Sequence, residues 1–519
     1  MDMTATTDRQ DPTPADRPAP ERVARAARPL PDDIRRATAA LRGRPTVPAP
    51  AVPLPEAGST GRLIVVSNRV APIAEGKPTA GGLAVGVLDA LKSMGGIWFG
   101  WSGEISETDA APEVSESGRI SVATVDLTQQ DYDEYYRGFA NGTLWPTFHY
   151  RVGLSRFDRA EHAGYERVNE KLARILAPMI GPDDILWIHD YHLIPFAAAL
   201  RALGIANRIG FFLHIPFPVS EVFTTVPVHR RLTEALLAYD LLGFQIESDR
   251  RAFLGHVETL GLAPVTPDGR VQTGGREVAT GVYPIGVEPD RIAHQAEGFV
   301  GRRPVRMLKD SLQGRRLIMS VDRLDYSKGL LERFQAFEAL LEGFPQHHRR
   351  VSFLQIAPPS RGDLETYQAI RQNLEREAGR INGRFADLDW NPIRYLNKGY
   401  ARGVLMGLFR SAEVGFVTSL RDGMNLVAKE YVAAQDPAAP GVLVLSEFTG
   451  AAKELDAALI VNPHDVSAMA HALDRALAMP HEERRARHAH MMAVLKRNDL
   501  AAWRDRFLSD LTRASAGTA

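Results

Sequence analysis

Arg323 and Lys328 stand five residues apart in the segment SVDRLDYSKGL, next to Gly329. A planar guanidinium fork and a compact ammonium held that close together suit the oxygens of a diphosphate. A second chemically suggestive stretch is EVGFVTSLRDGMNLVAKEYVAA, residues 413–434. Its loop, 418–425, carries Asp422 before Gly423, and a helix opens at Leu426 with Lys429 and Glu430 about one turn in. The amino end of a helix offers unbonded N–H groups and the positive end of a dipole, which makes a ready site for phosphate. The Glu430 carboxylate can accept from sugar hydroxyls, and Asp422 lies where a substrate would rest. Taken singly, each residue has a plainer use: an Asp-Gly turn, a solvated Glu and Lys, a surface ion pair for an arginine. Together, Arg69, Arg323, Lys328 and Arg361 all fall at the ends of expected strands, beside a helix start that suits phosphate, and that grouping points to a site.

The elements that must position these groups alternate strand and helix. Short apolar runs at 63–66, 185–188, 209–213 and 241–245 read as buried parallel strands. The first ends in Ser67-Asn68-Arg69, the second in His189-Asp190-Tyr191-His192, the third in His214-Ile215-Pro216. Helices are expected at 193–203 and 227–239, the latter opening on a proline. A second alternation starts near residue 315, with strands at 317–321, 351–357, 393–396, 414–417, 442–445 and 459–461 and a helix at 330–342. This is the pattern of α/β proteins, whose ligands gather beyond the carboxyl ends of parallel strands. The expected architecture is two Rossmann-like domains facing each other across a cleft that holds the site. The divisions are set at 61–288, 289–490 and 491–519, the last a helix packing back on the first domain through Leu500, Trp503, Phe507 and Leu511.

Residues 1–60 are rich in Pro, Ala, Arg and Asp and poor in large apolar residues, so a disordered tail is expected, with one helical patch at 32–41. Gly81-Gly82, ahead of a helix at 83–94, permits close backbone approach to a ligand, or makes an ordinary tight turn. The stretch 131–150 is dense in aromatics; Tyr136 and Trp145 could wall a sugar, although core packing is the commoner use of such residues. His189, Asp190, His192, His214 and Glu221 show no metal-ligand spacing, so no metal is assigned.

Composition narrows the class further. A formal net charge of −1 over 519 residues gives no basic footprint for nucleic acid or anionic membrane. The absence of cysteine excludes thiolate chemistry and fits a reducing cytoplasm. No apolar run approaches the roughly 18–20 residues a membrane helix needs. A homo-oligomer is compatible with all of this.

In order along the chain, SNRVAP, AGGLAVG, WFGWSGE, DEYY, LWPTFHYR, WIHDYHL, FFLHIPFP, DLLGFQ, SVDRLDYSKGL, APPSRGD, EAGRINGRF and LRDGMNLVAKEYVAAQ resemble the bacterial trehalose-6-phosphate synthases, over about residues 63–511. The resemblance implies a retaining glycosyltransferase of the two-domain GT-B type that moves glucose from UDP-glucose to glucose 6-phosphate, with no cofactor. It also implies roles. Arg69, Tyr136, Trp145, Asp190 and Arg361 would form the acceptor site. Gly81, Gly82, Arg323, Lys328, Tyr400, Leu426, Val427, Ala428, Lys429 and Glu430 would bind the donor. Arg323, Lys328, His214 and Asp422 would carry catalysis. The family often has Glu where this chain has Asp322, a change that keeps the carboxylate. Two other readings stand beside this one: the same fold with glycerol 3-phosphate as acceptor, and a non-catalytic sensor of sugar phosphates. UDP is not distinguished from GDP or ADP by side chains alone.

Overall fold

The computed structural model describes residues 61–70, 87, 88, 90, 91, 94–108, 111–360 and 365–514. The expected tail, its helical patch at 32–41, Gly81, Gly82 and Arg361 lie outside the described residues.

Two sheets organise the chain. The first contains β1 (Leu63–Arg69), β2 (Gly96–Ser106), β3 (Glu113–Ser117), β4 (Ile120–Thr128), β5 (Ile185–His189), β6 (Ile209–Phe212), β7 (Leu241–Phe244), β8 (Val271–Thr273) and β9 (Arg276–Val282). Their order across the sheet is β3-β4-β2-β1-β5-β6-β7-β9-β8. Only the edge pairs β3–β4 and β8–β9 run antiparallel. The second contains β10 (Arg316–Val321), β11 (Val351–Ile356), β12 (Ile393–Leu396), β13 (Val414–Val417), β14 (Val442–Ser446) and β15 (Leu459–Val461), in the order β12-β11-β10-β13-β14-β15. This sheet is parallel throughout. Its inner strands, such as VSFLQI and VGFV, are buried along their whole length because helices cover both faces.

Each sheet has a point where successive connections leave in opposite directions: between β1 and β5 in the first, between β10 and β13 in the second. Loops diverge at such a point and leave a crevice at the carboxyl ends of the strands. The ends of those four strands carry Arg69, Asp190, the 322–328 loop and the 418–425 loop.

Several element boundaries differ from expectation. The helix expected from Pro227 begins at His229 and runs to Leu236, with Pro227 in the preceding turn. The helix expected over 193–203 is Phe196–Ala202, preceded by a tight turn of helix at Tyr191–Leu193. The aromatic stretch is helical from 129 to 148, widened to i→i+5 bonding over Tyr132–Leu144. Strands β2, β3, β4, β8 and β9 were not among those expected. The glycines and serines of GIWFGWSGEIS interrupt the apolar alternation that would mark a strand.

The chain crosses between the sheets twice, and the crossings run side by side. Leu500 donates its N–H to the Val287 carbonyl at 3.1 Å. A Cβ on Gly286 would lie 2.3 Å from the Asp499 carbonyl carbon, so only glycine fits there. Helix His481–Arg497 runs through the division expected at 490/491 and packs on helix Leu426–Ala434, His488 Nε2 lying 3.1 Å from the Val432 carbonyl. The return to the first sheet therefore comes later, at Asn498–Asp499. Helix Leu500–Arg513 then lays Trp503 and Phe507 against Trp187, at ring separations of 4.8 and 5.0 Å. Among the described residues, no helix is long and apolar enough to cross a membrane.

Candidate active site

The loops after β10 and β13 are bonded to one another. Lys328 Nζ donates to Asp422 Oδ2 at 2.5 Å, and Asn425 Nδ2 donates to the same oxygen at 3.0 Å. Burial pushes the Asp422 carboxyl up, but the Lys328 cation and these hydrogen bonds outweigh it and hold the group below its usual range. Beneath the pair lies Arg333, fully buried one turn into helix Leu330–Gly343. It donates to Asp322 Oδ2 at 2.7 Å, Thr418 Oγ1 at 3.0 Å and the Lys328 carbonyl at 2.8 Å, joining both loops. Asp325 accepts from the Ser327 N–H at 2.9 Å and from the Tyr367 hydroxyl at 2.9 Å. The acids of the first loop thus hold its shape.

Helix Leu426–Ala434 starts from Asn425, whose backbone is left-handed at φ 78° and whose Oδ1 accepts the Ala428 N–H at 3.1 Å. The Ala428 N–H is thus occupied by this cap. The N–H groups of Leu426 and Val427 have no such cap among the described residues. Glu430 accepts from Arg402 at 2.8 Å; burial pushes its carboxyl up, and Arg402 opposes that. Lys429 departs from expectation. Its side chain is fully buried and points away from the helix start, donating to the Ile285 carbonyl at 2.7 Å and to Glu454 at 2.5 Å. It anchors the crossing between the sheets. Tyr400 packs at the margin of the core, with the Lys398 ammonium 5.3 Å from its ring centre.

The first sheet supplies an aromatic wall. The Arg69 guanidinium lies 5.7 Å from the Trp101 ring, Trp101 meets Tyr136 at 5.4 Å, and Tyr136 stacks on His192 at 5.8 Å. At the end of β5, Asp190 sits at φ 77°, a conformation uncommon outside glycine that is typically held at functional sites. Its Oδ1 accepts the His214 N–H at 3.1 Å. The rings of His189 and His214 share a hydrogen bond of 3.1 Å, and burial pushes His214 down to about 3, so both imidazoles are neutral at physiological pH. The histidines considered as metal ligands are engaged with each other and with the aromatic wall.

The two halves meet at this point. The Arg323 guanidinium lies 5.8 Å from the Trp145 ring. Gly423 presses on the third strand-end loop so closely that a Cβ would fall 2.1 Å from the His214 carbonyl oxygen. Arg323 with Lys328, Trp145, Asp422 and His214, drawn from four separate stretches of the chain, are brought together. Sequence reading missed Arg333, Trp101, Arg402 and His149. Arg333 had a signal: an arginine between Leu330 and Phe334 on a buried helix face requires an acid partner.

Two doubly wound α/β halves, with Arg323 and Lys328 at a strand end of one and an aromatic wall in the other, have the architecture that the resemblance to GT-B glycosyltransferases implies. The chain belongs to glycosyltransferase family 20, whose model matches residues 63–513. It is similar to the trehalose-6-phosphate synthase of Enterobacter sp. (strain 638), at 56% identity over 455 residues, covering 88% of this chain and 96% of that one. It is also similar to a solved UDP-forming α,α-trehalose-phosphate synthase from Burkholderia xenovorans in complex with glucose 6-phosphate, at 59% identity and a TM-score of 0.84, covering 87% of this chain and all of that one. A solved protein from E. coli bound with UDP-2-fluoro glucose matches at 55% identity and a TM-score of 0.84, over 88% of this chain and 100% of that one.

Proposed function

We propose that the chain transfers glucose from UDP-glucose to the anomeric hydroxyl of glucose 6-phosphate, giving α,α-trehalose 6-phosphate and UDP. The observation that carries this reading is the approach of Arg323 to Trp145, which sets a diphosphate cation of one half against a sugar wall of the other. The relatives solved with glucose 6-phosphate and with a UDP-glucose analogue support the choice of substrates.

In this reading Arg69, Tyr136 and Arg361 take the acceptor phosphate, and Trp145 and Asp190 hold its ring. Arg323, Lys328 and the N–H groups of Leu426 and Val427 receive the diphosphate. Gly81 and Gly82 approach the donor there, Glu430 accepts from the ribose, and Tyr400 offers its backbone to the base. His214 and Asp422 contact the transferred glucose. A neutral His214 exchanges a hydrogen bond with that sugar without bringing a cation towards the electron-poor anomeric carbon. The acceptor hydroxyl attacks from the face that the diphosphate leaves, a diphosphate oxygen takes its proton, and the configuration is retained. Charge gathers on the departing diphosphate, where preorganised donors are usually the largest catalytic contribution. Bringing both sugars into register supplies the entropic share. The acceptor half is taken as residues 61–288 with the returning helix, and the donor half as residue 289 to the second crossing. A reducing cytoplasm suits a cysteine-free chain of this kind.

The test is to incubate purified protein with UDP-glucose and either glucose 6-phosphate or glycerol 3-phosphate, follow UDP release and identify the product. Release with glucose 6-phosphate and a trehalose 6-phosphate product is expected. Release with glycerol 3-phosphate alone, or binding of ligands without release, would overturn the reading.

A further inference from the structure

A cavity of about 700 Å³ lies between the two halves and takes no part in the reaction above. Residues 149–154 of the first half form one wall, and Leu420, Arg421, Phe448 and His464 of the second form the other. His149 separates it from the reaction site: its ring lies tilted against Trp145 at a centre distance of 4.1 Å, with Nδ1 on the Trp145 carbonyl at 2.8 Å. The size is that of a small-molecule site.

Three features give this cavity a chemical character. Arg421 lies 3.7 Å over the Tyr150 ring, a cation fixed in place by an aromatic face. Tyr150 is itself held in the left-handed region, at φ 60°, with its hydroxyl accepting the Val219 N–H at 3.0 Å. Among the described residues, neither Arg421 nor Arg151 has a carboxylate within ion-pairing distance. The acid that Arg421 faces is Asp249, which burial pushes up to about 7 against the pull of Arg421 and the Phe217 N–H, so much of it is neutral near pH 7. Finally, His149 lines the cavity while only 2% exposed, and burial pushes its ring down to about 4, so it brings no charge there. Two arginines and a histidine at the rim suit a phosphate group.

We propose that this cavity binds a small phosphorylated metabolite, with its phosphate on Arg151 and Arg421 and its body against Tyr150 and Phe448.

The experiment is calorimetric titration of the full chain with inorganic phosphate and with fructose 1,6-bisphosphate, in saturating UDP and glucose 6-phosphate so that the reaction site is filled. Saturable binding at one site per chain is expected. It should weaken about tenfold or more in Arg151→Gln and in Arg421→Gln, and stay unchanged in the surface control Arg306→Gln. Tighter binding of the bisphosphate than of inorganic phosphate is expected from the body contacts. No saturable binding at millimolar concentrations, or equal binding by the wild type and both variants, overturns the proposal. Arg151 lies outside the loop that carries Asp422, so its variant serves even if Arg421→Gln misfolds. Turnover measured on the same preparations keeps the two readings apart: protein that binds the bisphosphate but does not release UDP would sink the catalytic reading alone.

Discussion

Lys328 and Asp422 come from loops 94 residues apart and meet at 2.5 Å, at the point where the second sheet reverses its winding. Both side chains are largely buried, so each neutralises a charge the other could not carry alone. Lys328→Ala removes the diphosphate donor of the proposed reaction and strands the Asp422 carboxylate. It is expected to lower kcat about a hundredfold, the effect of about 3 kcal/mol of lost transition-state stabilisation. It should also destabilise the fold by about 3 kcal/mol. Lys328→Ala with Asp422→Asn should recover most of the stability and none of the rate. Urea denaturation and UDP-release kinetics on both proteins separate the two effects; a double variant that regains turnover would remove Lys328 from the chemistry.

Lys429 gives the opposite expectation. It holds the Ile285 carbonyl and Glu454, which also accepts from Asn498 at 2.9 Å, so it ties the donor half to both crossings. Lys429→Met leaves Glu454 without its cation in a buried place and should cost about 3 kcal/mol of stability. Below its melting range the variant should keep the wild-type KM for UDP-glucose. A KM raised by an order of magnitude in folded protein would return this side chain to the donor site.

The contrast between Lys429 and Glu430 shows where sequence reading stops. The strands β10, β13 and β14 were legible because buried parallel strands are written as unbroken apolar runs. The helix start at Leu426 was legible from the loop before it. Successive residues of a helix, however, point about 100° apart, so one of two adjacent charged residues can face the ligand and the other the core. Only the position of residue 285 decides which. Arg333 announced a buried charge, but not its partner, because Asp322 lies on another element and single-chain spacing says nothing of it. The aromatic run at 131–150 was legible as a composition, but its widened helical turns, which set Tyr132 and Tyr136 face to face at 5.5 Å, were not.

The buried histidines predict how stability responds to acid. Burial pushes His149 to about 4 and His214 to about 3, against an ordinary value of 6.5. Below 6.5 the unfolded chain therefore binds protons that the folded chain refuses, and stability present above 6.5 is lost as the pH falls towards those lower values. Each such group contributes about 1.4 kcal/mol per pH unit within its window. His149→Asn should flatten the loss between pH 6.5 and 5 relative to the wild type, measured by urea denaturation at each pH. Parallel curves for the two proteins would show that His149 takes no part.

The last expectation concerns divalent ions. A sugar-nucleotide diphosphate can be neutralised by a metal held on carboxylates, or by protein cations. The acids nearest Arg323 and Lys328 are already committed: Asp322 to Arg333, Asp325 to Ser327 and Tyr367, and Asp422 to Lys328 and Asn425. Freeing any of them for a metal would break a buried hydrogen bond. In the proposed reaction Arg323, Lys328 and the start of helix Leu426–Ala434, whose dipole adds about half a positive charge, receive the leaving group instead. UDP release should therefore proceed at an unchanged rate in excess EDTA, and Arg323→Ala should lose at least as much rate as Lys328→Ala because its cation is not shared with Asp422. A rate that collapsed in EDTA and returned with added magnesium would mean that one of these carboxylates leaves its partner during turnover.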